Sequence, residues 1–339
     1  MKTKKILLIV ICTFIFIIGG VMIIANAFLN KMNYTDWSET EYTSEVEIIP
    51  EETDSEEIKK LKEVKSSDVS FKTYDSLNKI PEVSNILLIG EENIYEDTRG
   101  RTDSMMILSI NTKSKTLKLI SLMRDSYVQI PGYKDNRLNA AYALGGVPLL
   151  KETIETNFGI QIDNTALVNF EAFEKIIDIL GGVDIEITET ECEYLNNSNY
   201  ISEEENRILK PGINHFNGNQ ALGYSRIRYV TSINGESADF GRTNRHRTVL
   251  NALFKEYKNA DITTLIKIMD EILPYITTDI TNVQALSYLT AVVTMNPNEI
   301  ETMRIPIDGA YENVSIRKMA VLQLDIDKNR DALKNFLYE

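Results

Sequence analysis

Asn85-Ile-Leu-Leu-Ile-Gly90 is an unbroken apolar run closed by glycine, and the fold class turns on how it is read. So short a run without polar alternation reads as a strand covered on both faces, not as one face of a helix. Met105–Asn111 and Thr116–Met123 follow as two further strands, joined by Thr112-Lys-Ser-Lys115. Downstream the periodicity changes. It predicts a helix over Asn139–Phe158, interrupted at Gly145-Gly146 and ended by Gly159, and a strand over Ile162–Phe170. A helix over Glu171–Leu180 and a strand over Val183–Ile187 come next. Further helices are expected over Gly218–Tyr224, Arg242–Tyr257, Asp261–Ile272, Thr281–Met295 and Asp327–Leu337, with a strand near Met303–Ile305. Strands alternating with helices define an α/β class, here a layered α-β-α domain with a central mixed sheet. Nothing after residue 85 reads as a linker, so residues 81–339 are expected to form one domain.

Upstream the chain changes character twice. Residues 1–5 carry Lys2, Lys4 and Lys5, and Ile6–Asn30 then holds no charge. About twenty such residues cross a hydrocarbon core, so residues 6–30 are expected to be one transmembrane helix, a signal anchor. The lysines assign residues 1–5 to the cytoplasm and the bulk of the chain to the outside of the cell membrane, in a single pass. Ala25-Asn26-Ala27 resembles a cleavage site, but the apolar run exceeds a usual signal core, which favours a retained anchor. Met32–Ile58 holds ten acidic residues and no basic one, so residues 31–80 read as an extended acidic linker.

The net charge of −14 over 339 residues excludes a general polyanion-binding surface, and no nucleic-acid partner is expected. Cys12 lies in the apolar run and Cys192 in the exported part, so the two do not build a disulfide framework. Two histidines without paired cysteines fit zinc poorly, which leaves a hard cation on oxygen ligands.

Against this acidic background arginine is concentrated. Ten of the 13 arginines fall between Arg99 and Arg247. Arg226, Arg228, Arg242, Arg245 and Arg247 crowd a stretch with no lysine between Lys210 and Lys255. Choosing a planar fork over a point charge suits bidentate recognition of phosphate or carboxylate. At about 100° per residue, Arg242 and His246 share a face with Val249 and Leu253, so both are expected to point inward near a helix start. Arg226 and Arg228 share a face if their segment is extended. The first strand delivers Gly90-Glu91-Glu92 into a loop ending at Arg101-Thr-Asp103-Ser104, carboxylates and an arginine of the kind a Mg²⁺–phosphate site uses. Arg124-Asp125 ends another strand with a further Arg–Asp pair, which alone reads as a surface salt bridge.

At these residues the chain resembles the LytR–CpsA–Psr family of bacterial cell-envelope proteins. The resemblance covers about half of the chain, through segments in a fixed order. They are Asn85–Gly90, Arg101-Thr-Asp-Ser-Met-Met106, Arg124-Asp-Ser-Tyr-Val-Gln-Ile-Pro131, Leu138-Asn-Ala-Ala-Tyr142 with Gly145-Gly146, and Val168-Asn-Phe170. Asp178-Ile-Leu-Gly-Gly-Val-Asp184, Asn217-Gly-Asn-Gln-Ala-Leu222 with Tyr224, Arg226 and Arg228, and Asp239-Phe-Gly-Arg-Thr-Asn-Arg245 complete the set. The motif core is taken as residues 85–258.

The resemblance implies a membrane-anchored phosphotransferase that moves a glycopolymer from a polyprenyl-pyrophosphate carrier onto peptidoglycan. It implies Mg²⁺, or Mn²⁺, as the metal. By position Arg101, Arg124, Arg226, Arg228 and Arg242 match phosphate-binding arginines, and Arg101, Asp103, Arg124 and Arg242 are the expected catalytic residues. Asp103 matches one metal-binding aspartate, and Glu92 stands where the other is expected. His246 replaces a glutamine beside the pyrophosphate; because histidine titrates, binding is expected to tighten as pH falls from about 8 towards 6. Met123 in place of proline and Arg137 in place of lysine are expected to be silent. The alternatives are a non-catalytic or regulatory polyprenyl-phosphate-binding protein, or a lipid-pyrophosphate hydrolase.

Overall fold

Residues 27, 29–37, 60–72, 79–91, 102 and 104–338 are described in a computed structural model. The strands in its first part are β1 (Asn33–Tyr34), β2 (Lys62–Glu63), β3 (Val83–Glu91), β4 (Ser104–Asn111), β5 (Thr116–Leu122), β6 (Ser126–Val128) and β7 (Asn136–Arg137). Next come α1 (Leu138–Phe158), β8 (Asn164–Asn169), α2 (Phe170–Leu180), β9 (Val183–Ile187), α3 (Glu189–Asn197), β10 (Gly212–Phe216) and α4 (Gly218–Arg226). The last part holds α5 (Ala238–Asn259), α6 (Ile262–Ile272), β11 (Ile276–Thr278), α7 (Asn282–Met295), β12 (Ile300–Ile305), β13 (Tyr311–Ile316), β14 (Met319–Leu324) and α8 (Ile326–Tyr338).

The main sheet runs β1-β11-β8-β3-β4-β5-β12. It is mixed, as expected: β3 pairs antiparallel with β4 and parallel with β8, while β12 pairs parallel with β5. The apolar run that opened the sequence occupies the centre of β3. Its alternate residues go to opposite faces, as the pleat requires. Leu87 and Ile89 join Met105, Ile107 and Ile120 against α1 and α8. Ile86 and Leu88 join Leu108 and Ile110 against Phe254 of α5 and Tyr288 and Val292 of α7. Each such aliphatic side chain contributes about 1.5–3 kcal/mol by leaving water. Helices therefore cover both faces of the sheet.

The glycine interruptions have backbone causes. Within α1, Gly145 and Gly146 leave helical angles, and Gly146 takes φ 63° with ψ −151°, a region open essentially only to glycine.

Two boundaries beside the arginine cluster differ from the sequence expectation. α5 begins at Ala238 rather than Arg242, and α4 runs on to Arg226. Among the longer elements, α3, β10 and the hairpin β13–β14 carried too weak a local pattern to be anticipated. The hairpin is the heart of a second sheet, β2-β13-β14-β6-β7, and β9 and β10 form a third, two-stranded one. Parts of the span expected as a linker, 31–80, also enter the fold. Asn33 and Tyr34 pair with Thr277 and Thr278, and Lys62 and Glu63 with Val314 and Ser315. Short strands docked on an existing edge leave no periodic signature in sequence. Apart from residues 27, 29 and 30, the expected transmembrane run lies outside the described residues. Among the described residues no helix is long and apolar enough to cross a membrane.

Candidate functional site

β5 ends at Leu122, and the turn that follows is fixed by Met123 N donating to Ile305 O at 2.9 Å. It turns the Arg124 side chain inward. Its Nε donates to Asp239 Oδ2 at 3.2 Å, across 115 residues of sequence. Arg228 Nη2 reaches the same oxygen at 3.1 Å, and Arg242 Nη2 lies 2.7 Å from Oδ1. Three guanidinium groups thus converge on one carboxylate in the first turn of α5. Arg124 and Arg242 are each 6% exposed and Arg228 34%, so the cluster opens on the Arg228 side. The α5 entry is tightly built. Ala238 takes a left-handed φ of 52°, which costs on the order of 1 kcal/mol in a non-glycine residue. At Gly241 any Cβ would stand 2.7 Å from the Glu236 carbonyl oxygen, so glycine is required where the chain turns into the helix.

A second carboxyl sits behind the first. Asp125 lies 3.4 Å from Arg137 Nε and 3.7 Å from Arg124 Nε, and it shares a hydrogen bond with Asp239. Burial, then that hydrogen bond and the Asp239 charge, push the Asp125 carboxyl up to about 7. Burial acts on Asp239 in the same direction, but Arg242, the Asp125 hydrogen bond, Arg124 and Arg228 outweigh it and hold Asp239 well below the usual range. Two neighbouring, largely desolvated carboxyls cannot both ionise cheaply, so below about pH 7 the pair keeps one proton, placed on Asp125. Arg137, expected to be silent, therefore faces this pair and also donates to Ala320 O at 3.2 Å. Arg124–Asp125, read as a surface pair, lies mostly inside, with Arg124 6% and Asp125 19% exposed.

The five crowded arginines divide. Arg245 and Glu191 are both fully buried and paired at 2.8 Å. The Arg245 fork also donates to Ile227 O at 3.1 Å and Val230 O at 2.8 Å, clamping the loop that carries Arg228. Arg247 and Arg304 both pair with Glu236, which holds that loop's return to α5. The premise for a shared Arg226–Arg228 face does not hold, because Arg226 closes a helix. Its guanidinium stacks over Phe170, 5.5 Å from the ring centre, whereas Arg228 turns to Asp239.

One turn beyond Arg242 along α5, His246 points inward as the helical phase requires. Its Nε2 lies 3.0 Å from Ser225 O; a carbonyl only accepts, so Nε2 carries the proton. The ring stands at the border of an apolar cavity of about 200 Å³ walled by Leu88, Val168, Phe173, Leu222 and Leu250. A cationic pocket and a greasy slot thus adjoin along a single helix. Glu92, Arg101 and Asp103 lie outside the described residues. Thr102 between them is fully buried, and its hydroxyl donates to Gly90 O at 2.9 Å, tying that stretch to the end of β3. Among the described residues no group of three acidic, histidine or cysteine side chains gathers for a metal.

Comparison with known proteins agrees with this architecture. The sequence profile of the LytR_cpsA_psr family matches residues 46–335, and the chain belongs to that family. It is 32% identical over 258 residues to the regulatory protein MsrR of Staphylococcus aureus, covering 75% of this chain and 74% of that protein. It is 30% identical over 231 residues to TagV of Bacillus subtilis, a polyisoprenyl-teichoic acid–peptidoglycan teichoic acid transferase, covering 67% of this chain and 57% of TagV. The crystal structure of B. subtilis TagV superposes with a TM-score of 0.58 at 26% identity, over 76% of this chain and 98% of that one. A structure of TagT with bound octaprenyl pyrophosphate lipid shares the fold at 21% identity and a TM-score of 0.57, over 79% of this chain and 97% of that one.

Proposed function

We propose that this protein is a membrane-anchored extracytoplasmic phosphotransferase that moves a glycopolymer from a polyprenyl-pyrophosphate carrier onto peptidoglycan. The observation that carries the reading is the adjacency of the Arg124–Arg228–Arg242 cluster to the apolar slot, with His246 between them. A polyprenyl pyrophosphate has the same two halves. Four guanidinium groups face two carboxyls that share one proton, so the cluster retains positive charge for an incoming anion. In the reaction an acceptor hydroxyl oxygen bonds to the sugar-linked phosphorus, the P–O bond to the departing polyprenyl phosphate breaks, and a proton is released. Preassembled guanidinium forks stabilise the charge that builds on the phosphate oxygens. Arg124, Arg228 and Arg242 take this role, with Arg101 and Arg226 as further phosphate partners.

Glu92 and Asp103 offer hard carboxylate oxygens, the donor set Mg²⁺ or Mn²⁺ takes. The metal, when bound, supplies further neutralisation of phosphate charge. Residues 6–30 hold the chain in the cell membrane with residues 1–5 in the cytoplasm. TagV, a teichoic acid transferase by name, supports transfer over hydrolysis; the regulatory designation of MsrR supports a second reading, binding without turnover.

The test is to incubate the full chain, in detergent with Mg²⁺, with a short glycan on a polyprenyl pyrophosphate and soluble peptidoglycan strands. Glycan recovered on peptidoglycan through a phosphodiester is the expected product. Free glycan phosphate would mean a hydrolase. Tight lipid binding with neither product would mean a regulator.

A further inference from the structure

The uncharged run Ile6–Asn30 ends on the body of the domain. Asn30 Oδ1 accepts a hydrogen bond at 2.5 Å from Nδ2 of Asn282, the first residue of α7. Lys31 pairs with Asp270 of α6, and Asn33 Nδ2 donates to Pro274 O at 2.7 Å. The first contact ties the exit of the run to the start of α7, and the other two tie it to α6 and the turn after it.

α7 is unusual for a helix at the surface of an acidic protein. None of its 14 residues is charged, in a chain that is 25% charged, so its outer stripe is polar only through the uncharged Ser287, Thr290 and Thr294. Its inner side packs Tyr288, Val292 and Met295 onto Ile86 and Ile110. Its outer side leaves Val283 80%, Val293 67% and Leu289 43% exposed. Tyr34, beside the exit of the run, is 58% exposed.

We propose that α7 is the face on which the domain rests against the outer surface of the bilayer; this depends on residues 6–30 being the anchor. Three observations select the bilayer as the occupant. The anchor leaves the membrane within hydrogen-bond reach of Asn282, so α7 cannot lie far from the headgroups. A chain of net charge −14 is repelled by anionic lipid, and an uncharged face approaches without that cost. An exposed tyrosine beside the exit suits the interfacial belt. With no Lys or Arg on α7, contact is shallow and depends on the anchor's tether. The arrangement has a functional consequence. Leu88 belongs both to the cluster under α7 and to the wall of the apolar slot, so resting on α7 keeps the slot on the membrane side of the sheet.

The experiment uses the full chain in lipid nanodiscs, with one environment-sensitive fluorophore per protein. The probe sits on native Cys12 in a Cys192→Ser chain, or on Val293→Cys or Ile213→Cys in a Cys12→Ser, Cys192→Ser chain. Ile213 is 74% exposed on β10 and serves as the distal control. Headgroup-labelled nitroxide lipid should quench the probe at 293 about threefold more than at 213, while a deep nitroxide quenches Cys12. Val283→Asp with Leu289→Asp should lower quenching at 293 to the level at 213. Equal quenching at 293 and 213, with Cys12 still quenched, overturns the role of α7 and leaves the anchor standing. An unquenched Cys12 overturns the anchor and this inference with it. A blue shift at 293 that grows with protein concentration without quenching assigns the face to a second copy of the chain and overturns the bilayer.

Discussion

Arg242 and Arg245 stand three residues apart on α5, and each meets a buried carboxylate, yet their surroundings differ in kind. Around Arg245 every charge is matched: Glu191 takes Nε, two backbone carbonyls take the rest of the fork, and both side chains are fully buried. Around Arg242 the balance is uneven, with Arg124 and Arg228 sharing the same Asp239 and an opening toward solvent at Arg228. A closed, neutral cluster holds structure. An open one with surplus guanidinium groups is ready for an anion. Arginine content alone does not separate these two duties; the ratio of forks to carboxylates does.

The largest expected effect would break that contrast. Arg245→Ala strands Glu191 without its partner and should cost about 3–5 kcal/mol of stability, read as a fall in denaturation midpoint. A midpoint close to that of the parent would remove Arg245 from the structural group. Arg242→Ala should behave oppositely, because Asp239 keeps Arg124 and Arg228. We expect transfer to fall about 10²–10³-fold, with the midpoint shifting much less than in Arg245→Ala. Comparable unfolding in both variants would erase the distinction.

A subtler test concerns the proton on the carboxyl pair. Asp125 binds its proton more tightly folded, near 7, than at its ordinary value of 3.8, so the native state holds more protons across that interval. Stability from this group is full below about 4 and is lost as pH rises toward 7. Asp239, depressed in the fold, contributes in the other direction, losing its share only as pH falls below the ordinary carboxylate range. Asp125→Asn should therefore flatten the decline between pH 4 and 7, by about 1–3 kcal/mol at its upper end, in thermal scans across pH. An unchanged slope would place the proton elsewhere.

The smallest effect should come from His246→Gln. A glutamine amide can replace the Nε2 donor to Ser225 O, so affinity for a short polyprenyl pyrophosphate should change less than about threefold. An anion favours protonation of both Asp125 and His246, so parent binding should tighten from pH 8 to 6. Titrating affinity in His246→Gln and Asp125→Asn assigns that slope: the variant that loses it names the responsive group.

Part of the site was legible early. Helical phase along α5 correctly turned Arg242 and His246 inward, because the 3.6-residue repeat is a local property. The same phase gave no warning that Arg245 meets Glu191, 54 residues away. Nor did it reveal that Arg137 reaches Asp125 of the Asp125–Asp239 pair, since the three residues lie on separate stretches of the chain. The shared face of Arg226 and Arg228 was conditional on an extended segment, and α4, which runs to Arg226, removes that condition. Whether two residues apart means one face depends on where α4 stops, and helix ends are set by capping and tertiary contacts as much as by sequence.

Sequence by itself determined the alternation along β3, the glycine breaks in α1, the inward face of α5 and the order of motifs that marks the family. Each follows from a period or a steric limit that acts within a few residues. Tertiary structure alone decided which arginines surround Asp239, which one is neutralised by Glu191, and that β13, β14 and parts of the acidic stretch build a second sheet. Arg124 reaches Asp239 across 115 residues, Arg245 meets Glu191 across 54, and Lys62 and Glu63 pair with the distant Val314 and Ser315; at such separations charge balance and burial are properties of the assembled packing and no local pattern encodes them.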